Sequence, residues 1–509
     1  MSSGPGAAPA TAEESLRGPV VRAAAWTVGG YGLSQFIRFA GNLLLARLLF
    51  PEVFGLSALV VLFVQGLSMF SDVGTGPAIV QSPRGDDPEF LQTAWTVQCV
   101  RGAFLWACCC LIAAPVASFY DQPLIAQLLP IAGLTALLAG FESTSMHTLQ
   151  RHLRLERLTI LDLVSQVLGL VSIIVLALLH RSTHGAHDLG AVWATIGGSL
   201  VSSTTRLVLS HTRLPGIRHR FRLERQALAA LLRFGRWVFV STLFTFLAGQ
   251  SDRLVFGKMI PLALLGIYGI AQTLAMFPTQ AAQRLGSSVL FPAYSRLAGT
   301  DDFRHVFGRM RLPVLVSSGA VASGAIACGP FLIRSLYDSR YQAAGWILQY
   351  LSVAAWFQSI ESTNSAVLVA QGRVSLLAAN NAIKFAGLAL LVPLGFHVGG
   401  FRGALVALVL SDVLKYTASA LGVAASGLRG FGWDALLSLV IAGSSCAALL
   451  AGSAVLSRSH ANWLALSVAA CLAGVAWAVV GLCCVMRVGV RRAARLGFTR
   501  RSLGGELSS

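Results

Sequence analysis

Long runs of apolar residues recur along the chain, broken by short segments rich in arginine, glycine and proline. About 20 consecutive apolar residues cross a hydrocarbon layer as one helix. About fourteen stretches are long enough to do so: residues 24–49, 54–80, 90–118, 124–148, 157–179, 188–210, 234–258, 263–296, 310–334, 343–370, 374–396, 401–424, 433–456 and 462–486. In hydrocarbon, backbone groups must bond within their own segment, so each stretch is expected to be helical. The 263–296 stretch exceeds one straight crossing, and Pro278 is placed to kink it. The expected fold class is all-α: a polytopic membrane protein of about fourteen transmembrane helices.

Composition supports this class and removes others. Hydrophobic residues make up 55% and charged residues 12%, where an ordinary soluble domain is about a quarter charged. Mean hydropathy is +0.69. A soluble enzyme, a disordered chain and a small disulfide scaffold are excluded. The formal charge is +18, from 39 Lys and Arg against 21 Asp and Glu, and the only lysines are Lys258, Lys384 and Lys415. So basic a chain would suit nucleic acid, but the arginines lie between apolar segments. That placement is a topology signal and a fit to anionic lipid headgroups, and no nucleic-acid partner is expected.

Alternate loops carry most of the basic residues. Arg151, Arg154 and Arg157 share one side with Arg213, Arg218, Arg220, Arg222 and Arg225. Arg296, Arg304 and Arg309 lie there too, as does the tail of Arg487, Arg491, Arg492, Arg495, Arg500 and Arg501. The rough tally is about 25 basic residues on this side against about 8 on the other. Both termini are therefore expected in the cytoplasm. The dense 213–225 run also suits an amphipathic helix lying on anionic lipid. Residues 1–23, rich in Ala, Gly, Pro and Ser at their start, are expected to be a disordered tail without signal-peptide features.

Little metal or cofactor chemistry is visible. All nine cysteines lie in apolar runs without a histidine at ligand spacing. Cys108, Cys109 and Cys110 point about 100° apart on a helix and cannot converge on one ion. His180 and His184 have zinc-like spacing, and His187 follows, but Gly185 argues against a helix there. No glycine-rich phosphate loop ending in Lys-Ser/Thr occurs, and no cofactor is expected.

The chain contains an internal repeat. "ARLLFPEVFGL" (46–56) resembles "GKMIPLALLGI" (257–267), in phase at Arg47/Lys258 and Gly55/Gly266. "FEST" (141–144) matches "IEST" (360–363), and "GAVWA" (190–194) matches "GALVA" (403–407). Six helices per repeat is an even number, so both repeats face the same way, related by an axis along the membrane normal. The expected organisation is a tail (1–23), an N-terminal six-helix bundle (24–210), a basic cytoplasmic linker (211–233) and a pseudo-symmetric C-terminal six-helix bundle (234–424). Two extra helices (425–486) and a basic tail (487–509) follow. In such a plan the binding site is expected between the bundles near the midplane.

"LARLLFPEVFGLSAL" (45–59) followed by "SDVGTGPAIVQ" (71–81) resembles the first hairpin of Wzx-type bacterial polysaccharide flippases. These belong to the multidrug/oligosaccharidyl-lipid/polysaccharide exporter superfamily. "LLRFGRW" (231–237), "SDRLVFGKMIPLALLGIYGIAQTLAMFP" (251–278) and "LFPAYSRL" (290–297) resemble the opening hairpin of the second bundle. The likeness covers about residues 25–425. It implies transfer of an undecaprenyl-diphosphate-linked oligosaccharide from the cytoplasmic to the periplasmic leaflet of a bacterial inner membrane. The implied cycle is alternating access without ATP, beside polymerase and export proteins of the same pathway.

A diphosphate headgroup needs a wet, cationic path, because each buried charge needs a partner. The basic candidates are Arg38, Arg284 and Lys384, expected to hold the diphosphate, with ion pairing between helices as the alternative role. Arg101, among small residues, reads as packing. Gln35, Gln250, Gln272, Gln280 and Gln283 offer amides to sugar hydroxyls or to neighbouring helices. The ion-coupling candidates are Asp72, Glu142 and Glu361, with Asp162 and Asp252 as further carboxylates; proton and sodium antiport are both open. Asp412 and Lys415, one turn apart, are expected to pair with each other. A lipid II flippase or a multidrug exporter of the same superfamily is the nearest alternative function. A polysaccharide polymerase or membrane glycosyltransferase is weaker, since no loop exceeds about 25 residues, too short for a soluble catalytic domain.

Overall fold

Helices form where the apolar runs predict them, and proline and glycine mark their ends. The structure is a computed structural model that describes residues 12–481, apart from 72–73, 153, 185–187, 215–218, 287–289, 291–293, 296–302, 429–430 and 460. In order the helices are α1 (Ala12–Leu48), α2 (Pro51–Phe70), α3 (Thr75–Gln81), α4 (Pro88–Tyr120), α5 (Leu124–Gly140), α6 (Ser145–Arg151) and α7 (Leu155–His184). There follow α8 (Val192–Thr212), α9 (Arg225–Met259), α10 (Leu262–Leu285), α11 (Phe303–Leu336), α12 (Ala344–Ala370), α13 (Val374–Ala424), α14 (Phe431–Ser459) and α15 (Asn462–Gly481). Pro51 and Pro88 stand at helix starts, where a missing N–H costs nothing. No strand occurs among the described residues, so the fold is all-α.

Seven helices among the described residues are long and apolar enough to cross a membrane: α2, α4, α7, α11, α13, α14 and α15. The bent pair α5 and α6 makes an eighth. This is fewer than the fourteen stretches in the sequence, although the described residues of each stretch fall mostly on helix. One reason is that α13 contains two of them. Gly399 and Gly400 break it, and Gly400 takes the left-handed φ of 58° that favours glycine. A straight helix would hold Lys384 and Asp412 about 42 Å apart, yet they meet at 2.7 Å. The two limbs of α13 therefore fold back on each other. A second reason is polarity: α12 carries Gln349, Gln358, Glu361 and Asn364 along its length.

The chain divides into two compact units: Met1–Phe246 with Phe256–Gly266, and Leu247–Val255 with Ile267–Ser509. In the first unit α4 lies along α5 and α7 along α8, while α1 packs on α7 and α5 reaches α2 and α8. Here α2 meets the start of α10 at Gly55 and Gly266, both within this unit. A Cβ on Gly55 would lie 2.1 Å from the Leu262 carbonyl oxygen, and one on Gly266 would lie 1.9 Å from that of Pro51. Each glycine thus opposes the residue four before the other. This self-complementary contact joins the two positions that the internal repeat puts in phase.

In the second unit α11 packs on α12 and α14, and α12 packs on α13. Its core includes Leu315, Trp356, Ile360, Tyr416, Leu437 and Trp477. Leu437 and Trp477 come from α14 and α15, so the two helices outside the repeat are part of this core. A second cluster, Ala327, Phe331, Ala448, Ala465, Ala469 and Ala473, closes α11 onto α14 and α15 through small side chains.

Candidate functional site

Charged side chains inside apolar helices are the groups most costly to place, so their partners define each unit's polar interior. In the second unit Lys384, on the first limb of α13, lies 2.7 Å from Asp412 on the second limb. The other Asp412 oxygen accepts from Gln358 Nε2 of α12 at 2.9 Å. Lys415 lies 3.2 Å from Glu361 of α12, which also accepts from Ser365 Oγ at 2.5 Å. The expected Asp412–Lys415 pair is therefore corrected: each finds a partner on another helical limb instead. On α9, Asp252 accepts from Tyr268 Oη and from Gln272 Nε2 at 2.8 Å. Arg253 donates to Gln272 Oε1 at 2.8 Å. Gln272 is thus committed on both sides of its amide.

The first unit repeats the theme with one base serving two carboxylates. Glu142 lies between α5 and α6, and Arg206 of α8 reaches it at 3.0 Å. The same guanidinium reaches Asp162 of α7 at 2.9 Å. In each unit, then, the glutamate of the repeated "EST" motif meets a base on a later helix. Arg101 donates to Ser71 Oγ at 3.0 Å and to the Ser68 carbonyl at 2.6 Å. It thereby satisfies the C-terminal end of α2, a packing role.

The remaining predicted residues fall into three groups. Arg38 is exposed on α1 and makes no ion pair among the described residues, while Gln35 beside it donates to Tyr31 Oη at 2.8 Å. Gln280, Gln283 and Arg284 are exposed on the last turns of α10, and Gln250 is half-buried on α9. Asp72 lies outside the described residues, as does His187. His180 bonds to Asp188 at 3.0 Å, and no His/Cys/Asp/Glu group among the described residues has metal-holding geometry.

The basic linker makes a docked strap rather than the amphipathic helix considered above. Its described residues 219–224 form no helix, and Glu224 is extended. His219 Nε2 accepts from the Thr144 backbone N–H at 3.0 Å. The backbone N–H groups of Arg222 and Glu224 donate to Thr96 and Thr93 hydroxyls at 3.0 and 3.1 Å. Phe221 packs beside Trp95 with ring centroids 4.9 Å apart. Arg84 clamps Glu224 at 2.8 Å and Asp87 at 2.5 Å, while Asp86 takes His152 at 2.9 Å and Arg151 at 3.0 Å.

This clasp has a pH signature. The hydrogen bond from His152, with Arg151 nearby, holds the Asp86 carboxyl below the usual range. The Arg84 guanidinium and the Glu89 N–H do the same for Asp87. A carboxylate with a depressed folded-state pKa contributes stability above its unfolded value, about 3.9, and loses it as pH falls through the folded one. The clasp's contribution to thermal stability is expected to stay constant between pH 7 and 5 and to be lost below about pH 4. Asp86→Asn/Asp87→Asn should lower the neutral-pH melting temperature slightly and flatten that acid limb, because exposed pairs are individually weak.

Comparison with known proteins places this architecture. A family model described as "Polysaccharide biosynthesis protein" matches residues 44–311, just over half of the chain. The chain belongs to this polysaccharide biosynthesis family. It is 20% identical over 409 residues to the lipopolysaccharide biosynthesis protein WzxC of Escherichia coli (strain K12), covering 79% of this chain and 80% of that one. It is 26% identical over 287 residues to the succinoglycan biosynthesis transport protein ExoT of Rhizobium meliloti (strain 1021), covering 55% of this chain and about half of ExoT, 54%. Its fold is similar to that of the lipid II flippase MurJ in an inward closed conformation. There the TM-score is 0.68 at 12% identity, over 90% of this chain and 97% of that one. An inward-facing multidrug resistance MATE family transporter matches with TM-score 0.56 at 16% identity, over 82% and 96% of the two chains.

The family match includes Glu142, Arg206, Asp252, Gln272 and Arg284, and ends at Arg311; Glu361, Lys384 and Asp412 lie beyond it. Three charged residues here escaped the sequence reading. Arg206 sits inside an apolar stretch and was legible there. Arg311 and Asp434 sit at the first turns of their stretches, where a charge reads as a solvated end. Instead Arg311 donates to Asp434 Oδ2 at 3.0 Å and to Thr363 Oγ1 at 2.7 Å. Tyr416 Oη also donates to Asp434, at 3.0 Å, and both charged side chains are only 3% exposed.

Proposed function

We propose that this family member carries an undecaprenyl-diphosphate-linked oligosaccharide from the cytoplasmic to the periplasmic leaflet of a bacterial inner membrane. It acts as a transporter rather than an enzyme, and it supplies a surface polysaccharide. Family membership carries the reading: relatives are named for polysaccharide biosynthesis, and one of them as a transport protein. The fold it shares with a lipid II flippase is consistent with that chemistry. Both termini lie in the cytoplasm in this reading, and the cycle alternates access without ATP.

Arg38 and Arg284 hold the diphosphate, with Gln35, Gln280 and Gln283 beside them for sugar hydroxyls. Arg38 within α1 and Arg284 on the last turn of α10 support the assignment because both are exposed, and an arginine on a membrane helix faces water rather than lipid. Lys384 is spent on neutralising Asp412 and Gln272 on hydrogen-bonding Asp252, so their part is to satisfy the second unit's buried carboxylates. Glu142, Glu361 and Asp72 are the carboxylates assigned to coupling. Polymerase and export proteins of the same pathway take the product.

Deleting the gene in its own host tests this reading. The lipid-linked oligosaccharide is expected to accumulate on the cytoplasmic leaflet, with loss of the surface polysaccharide. Its appearance on the outer face in unpolymerised form would move a polymerase to the front.

A further inference from the structure

Lys384 is buried in a membrane helix with its side chain 12% exposed, against an Asp412 side chain only 1% exposed. The charges of Asp252 and Glu361 also act on its ammonium. Around it the three carboxylates Asp252, Glu361 and Asp412 are balanced by three cations, Arg253, Lys384 and Lys415. Every one of these groups has a named partner: Lys384 on Asp412, Lys415 and Ser365 on Glu361, Tyr268 and Gln272 on Asp252, and Gln272 on Arg253. Two carboxylate oxygens of this layer, Asp252 Oδ1 and Asp412 Oδ1, are buried without a hydrogen bond, and the second of them faces the Lys384 ammonium as an ion pair.

Carboxylate oxygens grouped with amide and hydroxyl oxygens are the donor set that hard cations take. Here a tethered ammonium holds that position. An added alkali-metal ion would leave one positive charge unbalanced in a low-dielectric interior, which is strongly unfavourable. We infer that Lys384 is a built-in counter-ion that sets ion specificity: the charged layer of the second unit binds neither sodium nor potassium. The consequence for transport rests on the function proposed above. Through this layer, the cycle draws on no sodium gradient.

Thermal unfolding of the purified full-length protein in choline, potassium and sodium chloride at matched ionic strength tests this. Lys384→Ala empties the cation position and leaves Asp412 without its counter-charge, held only by the Gln358 amide. Its melting temperature is expected to rise in about 150 mM sodium over choline by about 3 °C more than the wild type's does. Adding Asp412→Asn should abolish the extra rise. An equal sodium increment in wild type and Lys384→Ala would overturn the inference. If Lys384→Ala folds only when purified in sodium, that supports it. If both Lys384→Ala and Lys384→Ala/Asp412→Asn fail in every salt, it is overturned. The readout is ion binding, so its failure leaves the transport reading standing. Normal crossing of the lipid-linked oligosaccharide in a deletion strain would remove the transport reading without touching the ion result.

Discussion

Replacing Arg38 and Arg284 together with glutamine is expected to abolish measurable transport while the protein remains folded and abundant. Each guanidinium offers a planar pair of donors to a phosphate, and hydrogen bonds to charged groups are worth about 1.5–3 kcal/mol. One such loss corresponds to roughly tenfold to a hundredfold in transport, and two compound it. Both side chains are exposed, so the change opens no cavity. Lysine at the same positions keeps the charge but loses the fork geometry, so it should restore transport only in part. Surface polysaccharide in a complemented deletion strain, normalised to protein level, reads the effect. Wild-type polysaccharide from the double glutamine variant would remove both residues from the site.

The second large effect concerns the pair that ties α11 to α14. Changing Arg311 to methionine is expected to destabilise the protein by about 3–5 kcal/mol, because it leaves the Asp434 carboxylate buried and unpaired. Asp434 Oδ1 already lacks a hydrogen-bond partner, so no spare contact compensates. The double change Arg311→Met/Asp434→Leu should recover most of that loss, since a buried ion pair contributes little over a packed apolar pair. Melting temperature in detergent, with yield of folded protein, measures both. A single variant as stable as wild type would mean that water or lipid headgroups reach Asp434. Because Thr363 and Tyr416 join this pair, the test also asks whether helices outside the internal repeat are needed by the second unit.

The fold class was legible because hydrocarbon permits so few backbone solutions. The repeat singled out Glu142 and Glu361, since "FEST" and "IEST" place each glutamate at the same step of its unit, and each meets a base on a later helix. Their partners were not legible. Arg206 and Lys415 lie on later helices, and pairing between helices depends on rotation about axes that sequence spacing does not fix. The same blindness produced the expected Asp412–Lys415 pair. Spacing within one helix permits that contact, but Lys384 and Glu361 on neighbouring limbs compete for the same charges and win. Arg311 and Asp434 were hidden by position alone, because a charge at the edge of an apolar run looks solvated until another helix covers it. The turn inside α13 was legible: the two stretches 374–396 and 401–424 part at Gly399 and Gly400, where the helix turns back on itself.

Reconstitution gives the most direct test of the central claim. Purified protein would be placed in vesicles carrying the lipid-linked oligosaccharide isolated from the deletion strain, and a membrane-impermeant glycosidase or lectin would read which leaflet holds the sugar. Transfer between leaflets within minutes, lost in Arg38→Gln/Arg284→Gln, is the predicted result. Transfer no faster than in protein-free vesicles would contradict the account.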